Sequence, residues 1–253
     1  MSQNQPQPAA QDRFKLRSVA FFGRTLAEYL QMFSLDLAEL RGQKILDVAS
    51  GPGSFIAEAL DLGFDATGCD PMYSGDPEAI TAQGKADIDA CREQIRRNPG
   101  VLVYDDVDAF YAAKYAALER FAADFRRQRN TGRYVAGALP ELPFADGTFD
   151  LVLTGNFLLV YAPLEDGGMH AGRDFGLDFH LRSVTELARV TRGEIRIPGM
   201  HTWTQPPERH PYCGPMIDRL KGMGLKVALV QSHYDDGCSA VTPSCNQVLV
   251  ARR

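Results

Sequence analysis

The segment Asp47-Val48-Ala49-Ser50-Gly51-Pro52-Gly53 and the carboxylate of Asp70 are the residues whose types and spacing point most directly to chemistry. Glycines at the carboxyl end of a first parallel strand let the main chain touch a ligand, and the next helix offers free N–H groups to an anion. Gly51 and Gly53 supply that closeness. Asp47, just before the turn, can accept from the turn's own N–H groups or from a ligand ammonium. Asp70 stands nineteen residues beyond Gly51, about the spacing at which an acid meets a ribose diol in nucleotide-binding sheets. A carboxylate suits two vicinal hydroxyls because it accepts from both. A glycine turn that only joins strand to helix is the plainer reading of the same residues. The phosphate-cradling glycine loop ending in Gly-Lys-Ser/Thr is absent, and the position for a third dinucleotide glycine holds Ile56, which counts against hydride transfer.

These residues must be placed by regular elements, and the pattern supplies them. Residues 44–49 are a short apolar run stopped by the Gly/Pro/Ser cluster, residues 55–62 read as a helix with Gly63 placed as its C-cap, and 64–69 read as a strand. That is one βαβ unit, with a parallel, right-handed crossover expected. Residues 18–40 carry apolar side chains at helical spacing, with Leu26, Tyr29, Leu30 and Phe33 on one stripe. Two further helices are expected at 76–98 and 106–129, broken by Asn98-Pro99-Gly100, with Asp76 and Asp105 or Asp106 as N-caps. The apolar face of the second runs Val107, Phe110, Tyr111, Lys114, Tyr115, Leu118, Phe121, Phe125. Strands then resume at 133–136, 149–154, 193–198, 226–232 and 246–251, with helices at 178–191 and 214–223. The fold class expected is α/β: a Rossmann-like, doubly wound, seven-stranded, mostly parallel sheet. A helical pair, 76–129, is inserted between its second and third strands. Residues 18–253 read as one domain behind a disordered polar tail, 1–17.

A further string, Leu142-Pro143-Phe144-Ala145-Asp146-Gly147-Thr148-Phe149-Asp150-Leu151-Val152-Leu153, is followed by Glu186-Leu187-Ala188-Arg189-Val190-Thr191-Arg192-Gly193-Glu194. With the glycine turn and the acid before Pro71-Met72-Tyr73, these segments resemble the class I S-adenosylmethionine (SAM)-dependent methyltransferases, over roughly residues 44–70 and 133–198. The resemblance implies a seven-stranded sheet with SAM over the carboxyl ends of its first strands, methyl transfer to a small-molecule acceptor, and S-adenosylhomocysteine (SAH) as product. By position it implies that Asp47, Ala49, Gly51 and Gly53 border the methionine half, Asp70 holds the ribose, and Pro71 and Met72 lie beside the adenine. Many relatives place an Asp where this chain has Ala138, so adenine would rely on main chain near Ala138 and Leu139. Asn156 and Phe157 occupy the place that faces the transferable methyl. In the segment before the first strand, Arg24 is a candidate partner for the SAM carboxylate and Tyr29 for the sulfonium, because a guanidinium captures carboxylates bidentately and an aromatic face suits a cation.

Transfer from a sulfonium asks mainly for alignment and exclusion of water, with a base only where the acceptor must lose a proton. The Gly- and Asp-rich loop from Tyr161 to Phe179 offers Glu165, Asp166, His170, Arg173, Asp174 and Asp178, and His180 is the candidate catalytic base. A helix-end histidine bonded to main chain is its plainer reading. The histidines at 170, 180, 201, 210 and 233 show no metal-ligand spacing, so no metal is expected. Composition is that of an ordinary globular chain: 253 residues, 45% hydrophobic, 23% charged, net charge −5. The acidic total and the lack of interleaved aromatics in Arg96-Arg97 and Arg126-Arg127-Gln128-Arg129 argue against nucleic acid. No run approaches the ~20 apolar residues of a membrane span. Five cysteines without a C-x-x-C pair suit a reducing cytoplasm. The helical pair is a candidate roof for the acceptor pocket and a candidate homodimer surface. Two other functions stay open: a SAM-binding protein without transfer activity, and a nucleotide-dependent oxidoreductase.

Overall fold

Short apolar runs alternate with helical ones along the chain, and the computed structural model places the runs side by side in one sheet. It describes residues 16–97, 106–204, 206–234, 237 and 245–253. The elements in order are α1 (Leu26–Met32), β1 (Lys44–Val48), α2 (Phe55–Asp61), β2 (Asp65–Cys69), α3 (Pro77–Arg97), α4 (Val107–Gln128) and β3 (Tyr134–Val135). They continue with β4 (Phe149–Thr154), α5 (Leu177–Val190), β5 (Thr191–Ile197), α6 (Cys213–Gly222), β6 (Lys226–Gln231) and β7 (Gln247–Arg252). The strand order is β3-β2-β1-β4-β5-β7-β6, with β7 antiparallel to both neighbours and the other pairs parallel. This is the seven-stranded, mostly parallel, Rossmann-like sheet that the sequence resemblance implied. Its order reverses between β1 and β4, where ligands of open α/β sheets bind beyond the strands' carboxyl ends.

Alternation along the strands divides the apolar interior in two. Ile45, Leu151, Leu153, Val248 and Val250 join one core, with Phe55, Ile88, Phe121 and Phe125 from the helices. Leu46, Val48, Val152, Leu249 and Ala251 join the other, with Val184, Leu187, Met216 and Leu220 of α5 and α6. Two helices, α3 and α4, stand between β2 and β3, each capped by an aspartate: Asp76 accepts from Glu78 and Ala79 N–H, and Asp106 from Ala109 N–H. The break at Asn98-Pro99-Gly100 and the alternative cap Asp105 lie outside the described residues, as does Cys238.

Two expectations need correction. The helical periodicity over 18–40 yields α1 and a short 3-10 turn at Leu37–Leu40, because Thr25 and Glu28 form a capping box that starts the helix and Ser34 at φ +50° follows its end. Residues 18–24 are instead a strap without regular structure, although Phe21 is buried. The tail does not reach residue 17: Leu16 is buried, donates to Met169 O at 2.9 Å and accepts from Ala171 N at 2.9 Å. Residues 1–15 of that tail lie outside the described residues. The aromatic stripe of α4 is divided, since Phe121 and Phe125 pack with Tyr73 and Tyr134 in the core while Phe110 and Tyr111 line a cavity.

Candidate functional site

A cavity of about 550 Å³ opens at the carboxyl ends of β1, β2, β3 and β4. Ala49 and Gly51 reach it after β1, Asp70, Pro71 and Met72 after β2, Ala138 and Leu139 after β3, and Asn156 and Phe157 after β4. The strap contributes Arg24 and Phe22, α3 contributes Asp87, α4 contributes Phe110 and Tyr111, and Tyr234 follows β6. The main chain turns sharply at the end of β1, with Ala49 at φ +55° and Gly51 at φ +57°. Gly51 takes that conformation freely; for an alanine it is strained.

Asp70 is held by the turn it faces. Its Oδ2 accepts from Gly51 N–H at 3.0 Å and its Oδ1 from Met72 N–H at 2.9 Å. Burial pushes its carboxyl up to about 6, while those two main-chain donors pull the other way. Each oxygen keeps a lone pair for a further donor. Tyr73 donates to Gly51 O at 2.6 Å and fixes the other side of the turn.

Arg24 is charged although half-buried. Burial opposes its charge, and Tyr234 and Glu28 more than restore it. Its Nε donates to Tyr234 Oη at 3.3 Å, and the guanidinium lies 5.6 Å from that ring's centre. Glu28 is held below the ordinary glutamate range by Lys114 and Arg24 against the effect of burial, and it bonds both Lys114 and Tyr234. Lys114 is fully buried and pushed down to about 8, by burial first and then by Arg24. Two cations thus share one carboxylate beside the cavity. The signal for Lys114 stands in the sequence, since a lysine on the apolar face of a helix needs a buried partner; nothing there names Glu28 or Tyr234 as that partner.

The loop candidates Glu165, Asp166, His170, Arg173, Asp174 and Asp178 do not line the cavity, and four further candidate residues do not either. Asp47 is fully buried, accepting from Tyr29 Oη at 2.8 Å and Ser50 Oγ at 2.5 Å. Burial pushes its carboxyl up to about 7, against those two donors. Tyr29 stacks on Phe55 with ring centres 4.4 Å apart, so its face is occupied. Gly53 touches protein instead of open space: a Cβ there would lie 3.0 Å from Arg24 O. The start of α2 is covered in the same way, as Ser54 N–H donates to Arg24 O at 2.9 Å. His180 is buried within α5, with Nε2 accepting from Leu159 N–H and Nδ1 bonded to Gly176 O, both at 3.0 Å. Burial lowers its pKa, and with both nitrogens engaged by main chain it is placed as a structural histidine. Among the described residues no three His, Cys, Asp or Glu side chains gather as a metal ligand set.

The chain is 32% identical over 186 residues to the uncharacterized protein MJ0045 of Methanocaldococcus jannaschii, covering 72% of this chain and 78% of that one. The chain belongs to that protein's family. No family model matches it. Solved structures similar to it include the magnesium protoporphyrin IX methyltransferase of Synechocystis PCC 6803 with bound SAM. The identity is 13%, with 85% of this chain and 72% of that one covered and a TM-score of 0.43. Another is the 1,6-didemethyltoxoflavin-N1-methyltransferase of Burkholderia thailandensis with bound 1,6-didemethyltoxoflavin and SAH, at 15% identity, 90% and 76% coverage and a TM-score of 0.45.

Proposed function

We propose that the protein is a SAM-dependent methyltransferase acting on a small-molecule acceptor, and that the cavity over β1 to β4 holds the methyl donor. The observation that carries this reading is convergence: residues from the ends of four strands meet the Arg24 guanidinium around one space. The residues fit the group. Gly51 brings main chain to the cavity edge, Asp70 keeps acceptor capacity, and Arg24 presents a guanidinium whose Nη groups have no hydrogen-bond acceptor among the described residues. When bound, SAM supplies an electrophilic methyl on a sulfonium.

In this reading Asp70 accepts from the ribose hydroxyls, and Arg24 pairs with the donor's carboxylate. Pro71 and Met72 border the adenine, with main chain at Ala138 and Leu139 opposite, and Asn156 and Phe157 border the place of transfer. Asp47, Tyr29 and Gly53 act one layer away: they hold the turn and the strap in place. The strap excludes water, and alignment does most of the rest. Proton removal, where an acceptor needs it, does not fall to His180. A cytoplasmic setting is supported by the described cysteines, Cys69, Cys91, Cys213 and Cys245, which are unpaired. Among the described residues no helix is long and apolar enough to cross a membrane.

Calorimetry tests the reading directly. SAH is expected to bind the full chain and NAD is not, and Arg24→Ala is expected to weaken SAH by about ten- to a hundredfold, the loss of one charged hydrogen-bond partner. Labelled SAM incubated with a cell extract separates a transferase from a protein that only binds. No heat with SAH would remove the proposal.

A further inference from the structure

Besides the residues assigned to the donor, rings wall the same cavity, and Phe157 at the place of transfer is one of them. Phe22, Phe110 and Tyr111 form one cluster, with centroids 5.3 to 6.3 Å apart. Phe157, Tyr161 and Phe175 form a second, at 5.6 to 6.4 Å. Ring faces and edges of this kind favour a flat, unsaturated occupant. They also favour a positive charge, since the face of an aromatic ring is negative.

Besides Asp70, one carboxylate lines the cavity. Asp87 of α3 is half-buried; its Oδ2 accepts from Phe21 N–H at 2.7 Å and its Oδ1 from Gln83 Nε2 at 2.8 Å. Both donors are neutral, and each oxygen retains a lone pair. Arg24, at the donor end, is the only cation among the described lining residues, and no described Lys, Arg or His forms a salt bridge with Asp87. A carboxylated or phosphorylated occupant would meet Asp87 as a like charge without a counter-cation. An ammonium would find a charge-assisted partner. Trp203 lines the cavity too, and its indole N–H is buried without an acceptor among the described residues.

Resting on the methyl-transfer reading, we propose that the acceptor is a small aromatic or heteroaromatic molecule carrying a protonated amine, with its ring between the two aromatic clusters and its ammonium on Asp87. Specificity then lies in charge: the amine is taken and the isosteric acid refused.

Trp203 is the chain's only tryptophan, so its fluorescence reads occupancy of this space without any turnover. The native full chain, saturated with SAH, is titrated with tyramine and with 3-(4-hydroxyphenyl)propionate, which differ chiefly in the charge of the side group. Tyramine is expected to bind at least about tenfold more tightly, the size of one charge-assisted hydrogen bond. Asp87→Asn keeps an acceptor for Phe21 N–H, removes the charge, and is expected to bring the ratio close to one. Equal or tighter binding of the acid overturns the proposal. So does a ratio that survives in Asp87→Asn, or failure of both probes to bind at millimolar concentration. A parallel fall in SAH affinity in that variant would assign Asp87 to the donor's own amino group and likewise overturn it. Failure of the underlying reading looks different: SAH gives no heat, while the two probes can still be compared on the protein alone.

Discussion

Asp47 and Asp70 sit at the ends of neighbouring strands, and burial acts on both, yet they serve different ends. Asp70 faces the cavity and spends one lone pair of each oxygen on main chain. Asp47 faces inward, binding Tyr29 and Ser50 through Oδ2, with Oδ1 buried and unpartnered among the described residues. Its folded value of about 7 stands above the ~3.9 of an unfolded aspartate. The native state therefore binds the extra proton between those values, and this group costs stability as pH rises from ~4 to ~7. Asp47→Asn retains an acceptor for the two hydroxyls and never ionises. Its stability is expected to gain on that of the parent across this window, by roughly 2–4 kcal/mol in denaturant titrations, and to hold the gain above it. A difference independent of pH would show that the carboxyl is already ionised when buried.

At the scale of elements, the strap and the glycine turn form one unit. Gly23 lies against Pro52 so closely that a Cβ would stand 2.2 Å from its carbonyl oxygen. Arg24 O accepts from Ser54, Leu26 N–H donates to Glu58 at 3.2 Å, and Phe21 N–H donates to Asp87. The strap is thereby tied to the turn, to α2 and to α3. Gly23→Ala is expected to lift it, costing about 1–3 kcal/mol as overpacking does. Calorimetry should show SAH affinity reduced together with the urea midpoint, while circular dichroism keeps the sheet signal. Unchanged affinity would mean that the strap's contact with the turn does not shape the cavity. The pair α3 and α4 pack through Gly84, where a Cβ would meet Leu118 at 2.8 Å. That closeness lets α3 present Asp87, and α4 present Phe110 and Tyr111, to one space.

For the whole molecule, the cavity lies where the strand order reverses, so its walls come from segments far apart in the chain, between Leu16 and Tyr234. A ligand filling it joins the strap, the sheet and the helical pair, and stabilises the folded state by mass action. At a hundred times its dissociation constant SAH should add about 2.7 kcal/mol, which for a chain of this size raises the melting temperature by roughly 5–10 °C. Differential scanning calorimetry with SAH and with NAD checks this, and an equal rise with NAD would favour the nucleotide-dependent oxidoreductase.

The sequence by itself determined the layered α/β fold and the turn at Gly51 with its partner Asp70. Strand runs alternate faces, glycines mark positive φ, and an acid ends β2; all of these are local signals, carried by a few neighbouring residues. Only the tertiary structure decided which side of each residue meets the cavity. Gly53 turns toward protein because the strap, whose periodicity reads as helix, runs over the turn and covers it, while Tyr29 of α1 and Asp47 of β1 are bonded to each other and Tyr29 stacks on Phe55. His180 reads as a base at a loop's end, but its nitrogens meet main chain twenty-one and four residues away. Tyr234, Trp203 and Asp87 carry no mark of their own in the sequence. Their meeting around one space depends on long-range packing, which no short window of residue types encodes.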